Sequence, residues 1–240
     1  MPVEDLSAVP CPWGAVPTLV AERHLYHHGY LAVAGLDEVG RGCLAGPVVA
    51  AAVILPLDTA IEADLAGVRD SKQLTPKRRE QLAHIIQGRA CGWAVGHAGV
   101  AAIDQHNILR ATRLAMQDAL RQLDPAPTAL LLDAIRLPAV SLPQVPLIKG
   151  DQRSFSIAAA SILAKVARDA LMCEFDDIYP GYGFAQHKGY GTPHHMAALQ
   201  QLGPCAQHRR SFAPVRALLD LPHQMTLMIP PLPVLNDKND

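Results

Sequence analysis

Four acidic residues follow short apolar segments of this sequence, and together they could hold divalent cations. Asp37 and Glu38 follow the run LAVAGL, Asp133 follows TALLL, and Asp151 follows VPLIKG. Because neighbouring strands that end at one edge of a sheet bring their last residues together, folding could gather these acids into one cluster. Two such charges about 4 Å apart repel by about 4 kcal/mol at an effective dielectric near 20, so the cluster would need cations. All-oxygen ligands favour Mg²⁺ or Mn²⁺, and paired ions of this kind activate water for attack on a phosphodiester.

Each of these acids also has a simpler structural interpretation. An acidic residue at a strand end often forms a turn or caps a helix, and Asp151 could cap a helix that begins near Ser154. Alternation along a strand predicts that Asp37 and Glu38 point to opposite faces, unless the strand breaks there. One of the two would then point inward and need a positive partner. The pattern alone indicates a metal-dependent hydrolase and leaves a structural role open for each acid taken singly.

The segments that would position these acids form an α/β pattern. Two apolar runs, LAVAGLD and PVVAAAVILP, predict buried strands joined as an antiparallel hairpin by a glycine-rich turn. The runs CGWAVGHAGV, TALLLDA and VPLIKGD predict three more strands. Helices are predicted for LTPKRREQLAHIIQG with Thr75 as N-cap, for one amphipathic segment over 103–123, and for an alanine-rich segment over 154–175. The small face of the last helix would let it pack close to the sheet. This order predicts a mixed α/β domain.

Composition and the ends of the chain restrict the class of protein. The formal net charge of −1 predicts no general attraction to nucleic acid or membrane, so a nucleic acid partner would need a local basic patch. Five cysteines without a C-x-x-C pair indicate a reducing compartment, and the acidic start of the chain does not resemble a secretion signal. We therefore expect a cytoplasmic protein without membrane contact. The division we predict is a flexible extension over 1–20, a catalytic domain over 21–221 and a flexible tail over 222–240.

Several ordered segments resemble bacterial type 2 ribonuclease H, the ribonuclease HII family. They are AGLDEVGRGCLAGPVVAAAVIL, DSKQL, LLLDA, IKGDQRSFSIAAASILAKVARD, YPGYGFAQHKGYGT and HRRSFAPV, between about Leu31 and Val215. The resemblance implies a ribonuclease H-like mixed sheet flanked by helices, with a helical C-terminal portion. It also implies endonucleolytic cleavage of the RNA strand of RNA–DNA hybrids. Incision on the 5′ side of ribonucleotides embedded in duplex DNA, leaving 3′-hydroxyl and 5′-phosphate ends, is implied as well.

The resemblance assigns the acids a role in metal binding and catalysis. Asp37, Glu38, Asp133 and Asp151 match the family's Asp-Glu-Asp-Asp set, which holds a divalent metal, Mn²⁺ or Mg²⁺. None of these four positions departs from the family pattern. The resemblance therefore implies an active metal-dependent endonuclease, in which a metal-activated water attacks the phosphodiester.

The resemblance also implies residues that select ribose. Gly40, Arg41 and Gly42 match the family's Gly-Arg-Gly loop, which recognises the 2′-hydroxyl that separates RNA from DNA at a given site. Tyr190 matches the tyrosine that packs near the ribose at the cleavage junction. The structural alternatives are a tight hairpin that needs glycine, with Arg41 as a surface charge, and a half-buried core tyrosine.

Basic residues are candidates for contacts to phosphate. Lys72 in DSKQL and Lys188 in HKGYGT lie within matched motifs and are the substrate-binding residues that we favour. Further candidates are Lys149, Arg153, Lys165, Arg209 and Arg210. The alternative for any single lysine or arginine is a solvated surface charge. The histidines lack ligand spacing with acids or cysteines, so we expect structural or phosphate-facing roles for them.

The sequence leaves two other functions and one further partner open. A type 3 ribonuclease H has a related sheet but usually carries a sizeable N-terminal binding domain, which the short extension here does not match. A non-catalytic module that binds RNA–DNA hybrids would be expected to lose some of the acids, and all four are present. The segment QMTLMI, Gln224 to Ile229, resembles short peptides that dock on bacterial sliding clamps, with an idle tail as the alternative. The family's setting implies ribonucleotide excision repair and DNA replication, and we expect a monomer.

Overall fold

The computed structural model describes residues 9–14, 16–68 and 74–220, and its centre is a mixed five-stranded sheet. The strands are β1 (Val33–Val39), β2 (Val48–Ile54), β3 (Gly92–Ala98), β4 (Ala129–Asp133) and β5 (Gln144–Leu147). Their spatial order is β3-β2-β1-β4-β5. The antiparallel hairpin predicted for β1 and β2 is confirmed, and β2 pairs antiparallel with β3. The pairs β1–β4 and β4–β5 are parallel.

Helices cover both faces of this sheet and form the C-terminal portion. They are α1 (Val20–His27), α2 (Thr59–Asp64), α3 (Pro76–Arg89), α4 (Val100–His106), α5 (Ile108–Gln122), α6 (Phe155–Ile178), α7 (Phe184–His187), α8 (Pro193–Leu202) and α9 (Ala213–Leu219). A 3₁₀ turn spans Gly150–Gln152 between β5 and α6. The predicted cap of α3 is confirmed, because the Thr75 side chain accepts a hydrogen bond from the amide of Arg78. The mixed sheet flanked by helices confirms the predicted fold class.

The single amphipathic helix predicted over 103–123 is wrong. The chain breaks at Asn107, which has a φ of 70° and separates α4 from α5. The side chain of Asn107 accepts a hydrogen bond from the amide of Arg110 and so caps α5. Asparagine tolerates this left-handed φ better than most residues, and a local capping bond replaces the continuous helix.

Tight packing of α6 against the sheet confirms the prediction made from its small residues. A Cβ atom added to Gly35 of β1 would lie 2.2 Å from the carbonyl carbon of Ser156, so only glycine permits this approach. Alternation along β2 divides the core in two. Val49 and Ala51 belong to a buried cluster that includes α3 and α6, whereas Ala50 belongs to a second cluster with α5.

Part of the predicted N-terminal extension packs against the domain. Val9 and Cys11 are buried in a cluster with α1 and β4, and Thr18 forms an isolated bridge with Ser154. Nε of Arg153 donates a hydrogen bond to the carbonyl oxygen of Cys11 at 3.0 Å. The division at residue 20 stays a prediction, and the predicted tail lies outside the described residues. Within the described ranges, no helix has the length and apolar character needed to span a bilayer.

Candidate active site

A cavity of about 690 Å³ opens at the C-terminal ends of β1 and β4, beside α6. All four predicted acids line it, together with the Gly40–Gly42 loop and Tyr190. Parallel strands bring their C-terminal ends to the same edge, and this accounts for the meeting of β1 and β4 residues. The structure therefore brings together side chains that lie as far apart in the sequence as Asp37 and Tyr190.

The four acids lie on three structural elements. Asp37 and Glu38 lie within β1, Asp133 is the last residue of β4, and Asp151 lies in the 3₁₀ turn beyond the end of β5. The alternation of a strand predicts opposite faces for Asp37 and Glu38, but both line the same cavity. The pairing of β1 with β4 ends at the Leu36–Leu132 pair, so the cavity lies beyond that pair and is open to both successive side chains.

Hydrogen bonds hold three of the acids in defined orientations. Oδ1 of Asp37 accepts from the amide of Glu38 at 2.7 Å, and Oδ1 of Asp133 accepts from the amide of Gly150 at 2.8 Å. Oε1 of Glu38 accepts from Nη1 of Arg41 at 2.9 Å, which supplies the positive partner expected from the sequence. Oε2 of Glu38 is buried, and among the described residues it has no hydrogen-bond partner.

Burial and neighbouring charges disfavour the charged forms of Asp37 and Glu38. Burial raises the pKa of Asp37 well above its usual value, and the charges of Glu38 and Asp133 add to this shift. Burial also raises the pKa of Glu38, although the hydrogen bond and the charge of Arg41 oppose the shift. These shifts mean that the site lacks positive charge for its carboxylates.

The chemistry of the donor set fits a divalent cation. Within the described ranges, no group of three or more His, Cys, Asp or Glu side chains is already arranged to bind one metal ion. The unpartnered Oε2 of Glu38 and the raised pKa of Asp37 show that added positive charge would be stabilised here.

The Gly40–Gly42 loop contains two glycines with different surroundings. Gly40 has a φ of 94°, and a Cβ added there would lie 2.2 Å from Nε of Arg168. A Cβ added to Gly42 would meet nothing within 4 Å, so this position is open space at the cavity. The Arg41 side chain between them is 46% exposed. Gly40 is thus required by the packing beneath it, whereas Gly42 leaves room for an approaching molecule.

Tyr190 presents an aromatic ring to the same cavity. The residue is 40% exposed and lines the cavity, so part of the ring is open to an approaching molecule. The chain reaches it through Lys188 and Gly189, both with positive φ, so the ring stands on a tight turn after α7. Burial of part of the ring, with the neighbouring Cys43 thiol, raises the pKa of its hydroxyl.

The basic residues predicted to contact phosphate do not all lie at the main cavity. Lys188 does not line the main cavity. Its Nζ donates to the carbonyl of Ala185 at 2.7 Å and faces a neighbouring cavity of about 450 Å³. Lys72 lies outside the described residues. The prediction that Arg209 contacts phosphate is wrong, because its side chain is fully buried.

Two polar residues of the main cavity, Ser161 and Arg79, were missed by the predictions from sequence. Ser161 donates a hydrogen bond to the carboxylate of Asp37, and Arg79 reaches the cavity from α3. Lys165, which was predicted, stands one helical turn after Ser161 and lines both cavities. This i, i+4 spacing in an alanine-rich helix is a signal that could have identified Ser161. The sequence near Arg79 contains no comparable signal.

Comparisons with known proteins agree with this geometry. The family model described as Ribonuclease HII matches residues 34–215. The Ribonuclease HII of Chloroflexus aurantiacus is 55% identical over 208 residues, covering 86% of this chain and 98% of the relative. That of Nitrosococcus oceani is 55% identical over 188 residues, covering 78% and 92%.

Solved structures show the same fold. The ribonuclease H2 of Pyrococcus horikoshii has a TM-score of 0.66 and 26% identity, covering 78% of this chain and 96% of that one. The Archaeoglobus fulgidus protein in a structure of a PCNA:RNase HII complex has a TM-score of 0.65 and 25% identity, covering 80% and 99%. A ribonuclease HIII structure has a TM-score of 0.62 and 21% identity, covering 81% of this chain and 71% of that one, and shares the fold. The chain belongs to the ribonuclease HII family, the metal-dependent endonucleases that hydrolyse RNA in RNA–DNA hybrids.

Proposed function

We propose that this protein incises duplex DNA on the 5′ side of an embedded ribonucleotide and cleaves the RNA strand of hybrids through the cavity at the ends of β1 and β4. The observation that supports the proposal is the presence, in one cavity, of four acids, an open glycine-rich loop and an exposed tyrosine. Acids alone would fit many hydrolases. A loop with room for a sugar beside them favours a nuclease that examines ribose.

We propose that Asp37, Glu38, Asp133 and Asp151 hold the divalent metal, Mg²⁺ or Mn²⁺. When bound there, the metal supplies an activated water and neutralises charge on the phosphate. The protein's contribution is to keep the carboxylates oriented: the amide of Gly150 holds Asp133, and Ser161 with the Glu38 amide holds Asp37. These bonds leave further lone-pair positions on both carboxylates for ligation.

Selection of ribose is proposed for Arg41, Gly40, Gly42 and Tyr190. The open space at Gly42 lets a sugar approach the backbone, whose polar groups can bond a 2′-hydroxyl. The exposed face of Tyr190 can pack against the same sugar, so that a wrongly shaped neighbour is rejected without readout of the base. Arg41 is held by Glu38 at the wall of the cavity.

The second cavity extends the site along α6 and supports a path for the nucleic acid backbone. It shares Arg79 and Lys165 with the main cavity, and Lys188 lies on its wall. Arg79 and Lys165 are both paired with Asp169 there, and together with Lys188 they can supply the local positive charge that a near-neutral protein needs to bind phosphates. We propose that Lys188 contacts phosphate there, and the same role for Lys72 stays a prediction.

The test uses a DNA duplex with one ribonucleotide, incubated with and without Mg²⁺ or Mn²⁺ and analysed on a denaturing gel. The parent protein should cut on the 5′ side of the ribonucleotide and leave 3′-hydroxyl and 5′-phosphate ends. Asp133→Asn protein, folded like the parent, should lose this activity. A 2′,3′-cyclic phosphate product, or Asp133→Asn cleavage at the parent rate, would refute the mechanism.

Tyr190 has its own test with the same duplex. Tyr190→Ala should lose much of the preference for the ribonucleotide junction, because the plane that packs on the sugar is gone. Tyr190→Phe is the matched control and should keep that preference, since it retains the ring. Unchanged discrimination by Tyr190→Ala would remove this residue from the site.

We also propose a sliding-clamp contact through Gln224–Ile229, a segment that lies outside the described residues. The structural neighbour from Archaeoglobus fulgidus was solved as a PCNA:RNase HII complex, which supports a clamp contact in this family. A monomer acting in the cytoplasm, in ribonucleotide excision repair and DNA replication, is the setting we propose. Deletion of the residues after Pro222 should abolish clamp binding and leave incision of free duplex unchanged. Undiminished clamp affinity after the deletion would end this proposal.

A further inference from the structure

Arg209 is a fully buried cation that binds the back of the Gly40–Gly42 loop. Its Nη1 donates to the carbonyl of Arg41 at 2.8 Å, and its Nη2 donates to the carbonyl of Gly40 at 2.6 Å. Nε donates to the carbonyl of Gly46 at 3.0 Å. These charge-assisted bonds replace the water that the guanidinium lost on burial. All of these bonds go to backbone carbonyls, so Arg209 supports the Gly40–Gly42 loop from the side opposite the cavity.

His208, the preceding residue, is linked by hydrogen bonds to the Tyr190 loop. Nδ1 of His195 lies 2.9 Å from the carbonyl of Tyr190, and Nε2 of His195 lies 3.1 Å from Nε2 of His208. Nδ1 of His208 lies 3.0 Å from the amide of Cys205. The Tyr190 carbonyl can only accept, and the Cys205 amide can only donate.

The Tyr190 carbonyl and the Cys205 amide, at the two ends of this series of hydrogen bonds, determine the tautomers of both histidines. His195 must carry its proton on Nδ1, so its Nε2 accepts from Nε2–H of His208, whose Nδ1 then accepts from the amide of Cys205. Both rings are neutral, and each has one tautomer that satisfies every partner. Loss of the donor at Nε2 of His208 would leave the acceptor of His195 buried and unpaired.

A third histidine holds the same turn from its other side. The ring of His187 stacks on that of His195 with centroids 4.2 Å apart. Its Nε2 lies 2.7 Å from the carbonyl of Tyr182, and its Nδ1 accepts from the amide of Gly189. The turn that presents Tyr190 is thus bound to imidazoles at two backbone positions.

The backbone joins these two sets of contacts. Ala45 and His208 form an antiparallel bridge, and the amide of Arg209 donates to the carbonyl of Leu44 at 2.9 Å. The amide of Leu44 in turn donates to the carbonyl of Gly189 at 2.8 Å. The segment that follows the Gly40–Gly42 loop is therefore held between the Tyr190 turn and residues 207–209.

We propose that His208 and Arg209 are positioning residues that hold the Gly40–Gly42 loop and the Tyr190 loop in one register, so that ribose recognition depends on both. The inference rests on the proposed function, because it assumes that these loops meet at the sugar. Neither residue lines the cavity. Their effect is exerted through Arg41 and Gly40 on one side and through His195 on the other.

The size of the effect follows from the tolerance of a reacting geometry. A displacement of about 1 Å in a positioned group costs on the order of 100-fold in rate. Arg209→Lys keeps the charge but replaces a rigid fork of donors by one ammonium, which cannot reach carbonyls on three sides. We expect kcat on the single-ribonucleotide duplex to fall roughly 10- to 100-fold. Affinity for an all-DNA duplex should not change.

Two substitutions of His208 distinguish the loss of its hydrogen bond to His195 from the loss of its imidazole ring. In His208→Gln, the side-chain amide can donate near the position of Nε2 and keep the bond to His195. In His208→Asn, the shorter side chain can accept from the amide of Cys205 but cannot reach His195. We expect His208→Asn to lose kcat and His208→Gln to recover most of it. Arg216→Gln is the charge control: Arg216 is exposed on α9, and its loss should leave kcat and the affinity for both duplexes as in the parent.

The measurements are kcat and KM on the single-ribonucleotide duplex, affinity for the all-DNA duplex with Ca²⁺ in place of the active metal, and amide hydrogen exchange. Each of Arg209→Lys and His208→Asn should accelerate exchange at both segments, 40–47 and 188–191. A thermal melt establishes that each variant is folded. If Arg209→Lys does not fold, the two His208 variants decide the question.

Three results would overturn the inference. The first is that folded Arg209→Lys and His208→Asn proteins keep the parent kcat. The second is that each variant loses as much affinity for the all-DNA duplex as for the single-ribonucleotide duplex. The third is that each substitution accelerates exchange only in the loop that its own side chain contacts, and not in the other loop. Failure of the proposed function looks different, because the parent protein itself would then leave the ribonucleotide duplex intact. In that case the exchange measurement still decides whether the two loops are coupled through residues 208 and 209.

Discussion

Replacement of each glycine of the Gly-Arg-Gly loop by alanine should separate the packing role of the loop from its role at the substrate. At Gly40 the φ of 94° is strained for a residue with a side chain, and the added Cβ would lie 2.2 Å from Nε of Arg168. That guanidinium cannot move aside freely, because it donates to the carbonyls of Pro47, Ala45 and Lys188. Gly40→Ala should therefore disturb folding as well as activity.

The expected loss of stability has two contributions. A left-handed φ in alanine costs about 1–2 kcal/mol, and overpacking against a buried side chain costs about 1–3 kcal/mol. The sum is about 2–5 kcal/mol, which lowers the melting temperature by roughly 4–20 °C in a chain of this size. At Gly42 the added Cβ meets nothing within 4 Å. Gly42→Ala should then change stability little, with a gain of at most about 1 kcal/mol.

The effect of Gly42→Ala on activity should be much larger than its effect on stability. If a sugar approaches the backbone at Gly42, its alanine variant should lose roughly 10- to 100-fold in kcat/KM on the single-ribonucleotide duplex, since the added methyl holds the sugar away. Calorimetric melting and gel-based incision rates measure the two effects on the same proteins. A Gly42→Ala protein with the parent kcat/KM would refute the sugar contact. A Gly40→Ala protein that melts with the parent would refute the packing argument.

Three further substitutions test the electrostatics of buried groups. Asp37→Asn should raise the melting temperature of the metal-free protein near pH 7, because burial and neighbouring charges raise the pKa of Asp37 and its ionised form opposes folding there. Added Mn²⁺ should raise the melting temperature of the parent more than that of this variant. Burial also raises the pKa of Glu22 above its ordinary 4.5, so the unfolding free energy should fall as pH rises from that value, and Glu22→Gln should reduce this slope. Burial lowers the pKa of His208 from 6.5 to about 4, so stability should be lost as pH falls from 6.5 towards 4, and His208→Gln should flatten that loss.

Exposed residues of the same type provide controls for these three experiments. Asp177→Asn, Glu174→Gln and His84→Gln each remove an exposed group of the same type and serve as the matched controls. A control that shifts stability as much as its buried counterpart would show that overall charge, rather than burial, is responsible. The slopes are read from melting temperatures at closely spaced pH values.

Local structure was determined largely by the sequence itself. The antiparallel hairpin follows from two apolar runs around a glycine-rich turn, and the start of α3 follows from Thr75 and Pro76. The acids at the strand ends were recognisable as a group because parallel strands present their C-terminal ends at one edge. These features depend on neighbours in the chain and on the periods of strands and helices, which a single sequence displays.

The break at Asn107 shows where the local pattern is insufficient. The hydrophobic spacing continues through this residue, so the pattern predicts one helix, whereas the chain adopts a left-handed φ at Asn107 with a side-chain cap. The direction of Glu38 is a second case. It depends on where β4 stops beside β1, which the sequence of β1 does not contain.

The support of the loops was decided by tertiary structure alone. Arg209 looks in the sequence like a surface cation beside Arg210, yet it is buried and binds the carbonyls of Gly40 and Arg41. The chemistry of the site was therefore encoded in residue types at strand ends. The placement of that chemistry depends on hydrogen bonds between segments distant in the chain, whose partners have no periodic relation along the sequence and become neighbours only when the sheet and α6 have packed.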